Sequence, residues 1–153
     1  MIAPEWRILT LMSLGAWVAG GRFPRTRAAL EALASLRPWE AFFARMPPRT
    51  SIGPHSDNAN WLLTAHLGLE LEEGRCELTV GEWTRGWREG GVFVCDTSYV
   101  HSATNSSDRD RYVLACRFLH PQCTDVERYA LLFLRTVMDL GRSYDVTSAM
   151  AGD

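Results

Sequence analysis

Apolar and polar residues alternate most clearly in the middle of the chain. In NWLLTAHLGLEL, Trp61, Leu63, Ala65, Leu67, Leu69 and Leu71 fall on one side. Asn60, Leu62, Thr64, His66 and Gly68 fall on the other, which is the period of a β-strand. CELTV from Cys76, VFVCD from Val92 and RYVLACRFLH from Arg111 are further strand candidates, rich in β formers. Between the first two, GEWTRGWREGG reads as a turn-rich hairpin. Trp83 and Trp87 are expected to pack the sheet there, and Gly90 and Gly91 to serve the turn.

The ends carry a different pattern. The apolar run from Ile8 to Gly21 reads as a partly buried helix. It is short for a membrane span, and Glu5 precedes Arg7 where a signal peptide needs net positive charge. Thr26 is placed to cap RAALEALASL, whose Ala29, Leu30, Leu33 and Leu36 fall on one helical face, and Pro38 limits that helix. PWEAFFARM is open between strand and short helix, and Met46-Pro47-Pro48 is a break. After Pro121, TDVERYALLFLRTVMDL predicts a helix capped by Thr124 or Asp125, with Glu127 near its start. The expected fold is therefore mainly β: a jelly-roll or barrel core with flanking N- and C-terminal helices. As one domain over 1–153, it divides into helical support to residue 45, barrel core over 46–121 and a C-terminal helix over 122–145.

Composition narrows the function classes. The chain has 153 residues, 46% hydrophobic and 22% charged, enough for a single buried core. A net charge of −2 without a basic block gives no footprint for nucleic acid. All 16 basic residues are arginine, which reflects coding bias rather than chemistry. Cys76, Cys95, Cys116 and Cys123 form no C-x-x-C pair, so buried thiols in a reducing, cytoplasmic compartment are expected rather than disulfides.

Candidate chemistry concentrates in PHSDNAN, starting at Pro54. In an extended segment His55 and Asp57 point to the same side and could present an imidazole and a carboxylate to one ion. His101 in DTSYVHSATN follows a strand candidate and could supply a third ligand. Two histidines and one carboxylate leave positions open, as in non-haem Fe(II) sites. Those two residues alone favour a polar turn with Asp57 as its cap, and a lone His101 reads equally as a loop residue.

The wider pattern resembles the aspartyl/asparaginyl β-hydroxylase family of Fe(II)- and 2-oxoglutarate-dependent oxygenases. It runs through PHSDNANWLLTAHLGL, then CELTVGEWTRGWREGGVFVCDTSYVHSATN, then DRYVLACRFLHPQCTDVER, with a fainter match in EWRILTLMSLGAW and FPRT. The resemblance implies a double-stranded β-helix of cupin type. It makes His55 and His101 iron ligands and Arg111 the cosubstrate arginine, with Arg109 a nearby competitor. His66 would lie near cosubstrate and metal, and Asp57 would complete the ligand set. Fe(II), 2-oxoglutarate and O2 are the implied cofactors. The implied reaction hydroxylates a C–H bond of an amino acid, peptide or other small molecule, with succinate and CO2 as coproducts.

Two departures stand out. The animal enzyme that names the family has glycine where this chain has Asp57. The family also commonly carries an arginine two residues before the HLGL histidine, where this chain has Thr64. Losing that charge argues against an acidic substrate side chain or moves carboxylate binding to another group, and marks Thr64 as a candidate substrate contact. Asp96 is open between orienting His101 and capping a turn. An inactive cupin-like binding module and another metal-dependent enzyme on the same barrel stay open as alternatives. So do oligomeric state and a domain truncated at its N-terminal side.

Overall fold

A computed structural model describes residues 6–33, 38–57 and 59–143. The chain divides into two compact units, Met1–Pro121 and Gln122–Asp153. Among its described residues the first holds ten strands: β1 (Arg7–Ser13), β2 (Ala16–Trp17), β3 (Pro38–Met46), β4 (Thr50–His55), β5 (Leu62–Glu70), β6 (Cys76–Val80), β7 (Trp83–Gly86), β8 (Val92–Cys95), β9 (His101–Asn105) and β10 (Arg111–Leu119). They form a six-stranded sheet in the order β2-β1-β3-β10-β5-β8 and a four-stranded sheet in the order β4-β9-β6-β7. Ala44, Met46 and Val113 of the first sheet meet Ile52, Leu78 and Ala103 of the second in one buried cluster, so the core lies between the sheets.

The first third is not mainly helical. The run read as a helix from Ile8 is instead the hairpin of β1 and β2, followed by a 3-10 turn at Gly20–Arg22. Leu14 (φ 50°) and Gly15 (φ 75°) both take positive φ, the mark of a two-residue turn whose twist suits a hairpin. β1 has no clear alternation because both its faces are used. Thr10 and Met12 line an internal cavity, while Leu11 packs outward with Leu30, Ala41 and Leu114. A strand with apolar side chains on both faces reads as a continuous apolar run, although Ile8 and Leu9 are exposed.

Helix α1 (Pro24–Ala32) begins earlier than expected. Phe23 is its N-cap residue and makes no side-chain cap bond, and Pro24 takes the first helical position, so Thr26 lies inside the helix. Phe23 is fixed by an edge contact with Phe43, at 5.1 Å between centroids. Of the expected apolar face only Leu30 is buried; Leu33 ends the helix exposed and Leu36 lies outside the described residues. PWEAFFARM resolves to strand β3.

The second unit contains α2 (Asp125–Ser143). Its start is a capping box. The Glu127 N–H donates to Thr124 Oγ1 at 3.3 Å, and Glu127 Oε2 accepts from the Thr124 N–H at 2.8 Å. Among the described residues no helix is long and apolar enough to cross a membrane.

Candidate active site

The antiparallel register of β4 and β9 sets His55 directly opposite His101. Ile52 pairs with Ala103 and His55 with His101, so three steps along β4 match two along β9. The extra residue is a bulge at Gly53-Pro54, where proline has no N–H to give the ladder. It puts His55 on the same cavity wall as Ile52. Just past the strand, the Asp57 N–H donates to Thr97 O at 3.0 Å and the Ser56 hydroxyl to Ser98 O at 2.8 Å.

His55, Asp57 and His101 converge. Asp57 Oδ1 lies 3.8 Å from His55 Nε2 and 3.9 Å from His101 Nε2, and the two rings are 4.2 Å apart. One ligand atom from each lies within 4.8 Å of the others. His55 Nδ1 donates to Gly53 O at 2.9 Å and His101 Nδ1 to Tyr99 O at 3.0 Å. A carbonyl only accepts, so both rings carry the proton on Nδ1 and turn the Nε2 lone pair toward Asp57. This donor set and tautomer fit a divalent iron with open positions. Asp96 takes no part: its Oδ1 accepts from the Ser98 N–H at 2.9 Å, an Asx turn.

The triad opens into a cavity of about 340 Å³ lined by residues of both sheets. The inner face of β5 is its less apolar side. Thr64 and His66 line the cavity, while Ala65 and Leu67 pack outward with Phe43 and Leu114. Thr64 is buried, and its hydroxyl pairs with that of Thr97 at 3.2 Å. His66 sits between Phe93 and Trp87, and neither of its ring nitrogens has a partner. Burial, then the charges of Arg111 and His101, push its pKa down to about 3, so the ring is neutral at physiological pH.

Arg111 is 3% exposed, with Nε and Nη1 unpartnered, and its guanidinium lies 4.3 Å from the Trp87 ring. Burial lowers its pKa to about 10, which still leaves it charged. Neighbouring Asp110 is turned the other way, accepting from Arg45 at 2.9 Å and Tyr112 at 3.1 Å. Arg109, the competitor, is exposed. Trp87 is held under Arg111 by a close backbone approach. Gly68 accepts from the Gly90 N–H and donates to Gly91 O, and a Cβ on Gly68 would meet Arg88 O at 2.1 Å. Trp87 is thus part of the site wall, whereas Trp83 is 84% exposed.

Three further residues matter that their sequence positions do not advertise. Arg117 and Glu40 line the cavity and pair with each other. Buried Asn105 donates to Met46, Pro47 and Arg109 carbonyls and accepts from Ser107, which ties the β3–β4 turn to the loop leading into Arg111. An asparagine closing a strand, ahead of Ser106-Ser107-Asp108, was the available signal for that last role.

Two packed antiparallel sheets with two histidines and a carboxylate in their shared cavity define a cupin-type barrel with a candidate metal centre. The chain belongs to the aspartyl/asparaginyl β-hydroxylase family, whose profile matches residues 2–121. Mouse aspartyl/asparaginyl beta-hydroxylase is 30% identical over 71% of this chain and 15% of its own length. Mouse aspartate beta-hydroxylase domain-containing protein 2 is 31% identical over 85% of this chain and 40% of its own. The ornithine lipid ester-linked acyl 2-hydroxylase of Rhizobium tropici is 32% identical over 64% of this chain and 35% of its own. The chain therefore spans well under half the length of these relatives. A Cupin 2 conserved barrel domain protein from Salinispora arenicola shares the fold, with a TM-score of 0.51 at 16% identity over 88% of each chain.

Proposed function

We propose that the chain is the catalytic domain of an Fe(II)- and 2-oxoglutarate-dependent hydroxylase. The observation that carries this is the buried, unpaired Arg111 guanidinium in the same cavity as His55, Asp57 and His101. A buried cation without a counter-ion is costly and is kept where an anionic ligand supplies the partner. His55, His101 and Asp57 would hold the iron. Bound there, the metal supplies oxygen activation coupled to decarboxylation of 2-oxoglutarate, which yields succinate, CO2 and the hydroxylated product.

The chain's own residues bind and orient. Arg111 takes the far carboxylate of the cosubstrate through two parallel hydrogen bonds, a match its planar fork makes and a point charge does not. Trp87 backs the guanidinium and keeps water from it. Neutral His66 offers one donor and one acceptor beside the cosubstrate without adding charge. The other arm of the cavity is lined by Trp6, Ile8, Met12 and Phe42. That lining favours an uncharged segment of an amino acid, peptide or acyl-bearing small molecule as the group that reacts. The names of the mouse and Rhizobium tropici relatives span that range.

Succinate release on addition of Fe(II) and 2-oxoglutarate tests the assignment. Asp57→Ala and His101→Ala are each expected to lower it at least ~100-fold, the scale of losing a required ligand. Release unchanged in both variants would overturn the reading.

A further inference from the structure

The two oxygens of Asp57 do different work. Oδ1 faces both histidine Nε2 atoms, at 3.8 and 3.9 Å, whereas Oδ2 accepts from Arg117 Nη2 at 3.2 Å. Arg117 Nη1 donates to Glu40 Oε2 at 3.0 Å. Strand register builds this chain of contacts: on β10, Arg117 stands opposite Glu40 of β3 and opposite Thr64 of β5. Opposed side chains in a sheet are close neighbours. The short Thr64, engaged with Thr97, leaves the guanidinium its path across the wall. Arg117 and Glu40 are 18% and 22% exposed at their side chains, so the contacts are screened less than a surface pair.

We propose that Arg117 is a positioning residue of the metal centre, fixing Asp57 as a ligand through one oxygen, and that Glu40 cancels the charge Arg117 would otherwise set beside the metal. The proposal rests on the metal-centre reading above. A carboxylate with both oxygens free can take two positions on an ion; tying Oδ2 to Arg117 reserves the second for another ligand. Positional control of this kind comes from hydrogen bonds to the ligands rather than from the ligands themselves. With both terminal nitrogens on carboxylates, Arg117 does not serve as a clamp for an anionic substrate. The residue opposite Thr64 is therefore committed to the metal side of the cavity.

Co(II) titration of the full chain, followed by calorimetry and visible absorption, reads this without turnover. Arg117→Met is expected to weaken Co(II) binding ~10–100-fold and to change the Co(II) spectrum as Asp57 loses its restraint. Arg117→Lys keeps one charged donor for Asp57, so it should restore the wild-type spectrum with only part of the affinity. Glu40→Gln keeps the hydrogen bond and loses the compensation; affinity should fall a few-fold, more at low salt than at high, with the spectrum unchanged. A folded Arg117→Met protein with wild-type spectrum and affinity within about twofold would overturn the proposal. If that variant does not fold, Arg117→Lys decides, and unchanged affinity there overturns it. Co(II) binding that survives His55→Ala and His101→Ala would instead overturn the metal-centre reading and the proposal with it.

Discussion

Arg111 and Arg117 sit on the same face of one strand, six residues apart, and their surroundings are opposite. Arg111 is buried with Nε and Nη1 unpartnered and an aromatic ring beneath it, while Arg117 holds a carboxylate on each terminal nitrogen and leaves only Nε unpartnered. An unpaired cation in a binding cavity is prepared for something that arrives, and a doubly paired one holds something already there. Residue type and strand face are the same, so the difference lies in the carboxylates beside each. Asp110 turns outward at one end, whereas Glu40 and Asp57 turn inward at the other.

The sharpest way to break this contrast is to remove each charge and watch stability and ligand binding together. Arg111→Met should cost ~100-fold or more in 2-oxoglutarate affinity, about 3 kcal/mol, because it deletes one partner of a buried charge pair. It should also raise the melting temperature, since an unpaired charge no longer has to be desolvated, a gain on the order of 1 kcal/mol. Arg117→Met should lower the melting temperature by leaving Glu40 and Asp57 facing each other. Opposite signs in thermal melts support the contrast; equal signs would remove it.

Gly68→Ala sharpens it further. The added Cβ collides with Arg88 O, so the loop carrying Trp87 must move, at a cost of about 1–3 kcal/mol. Because Trp87 supports Arg111 and not Arg117, 2-oxoglutarate affinity should fall while Co(II) affinity holds. Isothermal titration with each ligand separates the two.

The effect that vanishes at neutral pH concerns His66, opposite Ala115 between the two arginines. Its folded pKa is lowered from 6.5 to about 3, so below pH 6.5 the unfolded chain takes up a proton that the folded chain refuses. The stabilisation is complete above that pH and is lost as pH falls toward 3, with a slope of at most about 1.4 kcal/mol per pH unit. Denaturant melts of wild type and His66→Phe across this range should differ by that slope. In Arg111→Met the His66 pKa should rise, which narrows the window.

Much of the barrel was legible. The period of two in β5 and the β formers of β6, β8 and β10 mark strands, and Thr124 with Glu127 marks the start of α2. Where the two faces of a strand differ in polarity, as in β5, alternation reports it. The N-terminal hairpin escaped because β1 carries apolar side chains on both faces and so has no period to read. The inner face of β5 was legible as a face, but polarity alone does not say that the polar side points inward. His55, Asp57 and His101 stood out by residue type and spacing and Arg111 through the family resemblance, and the structure brings all four to one cavity. Glu40 and Arg117 lie 77 residues apart and meet only through register, which no local pattern encodes.

The bulge at Gly53-Pro54 makes local backbone shape, more than residue identity, the fragile quantity here. Straightening it with every residue kept would set His55 three regular steps from Ile52 and turn it to the outside of the sheet, because one step reverses a strand's two faces. Deleting Gly53 would instead leave two steps facing two and keep His55 opposite His101. Spacing here should therefore tolerate loss of the extra residue more readily than loss of the bend that absorbs it.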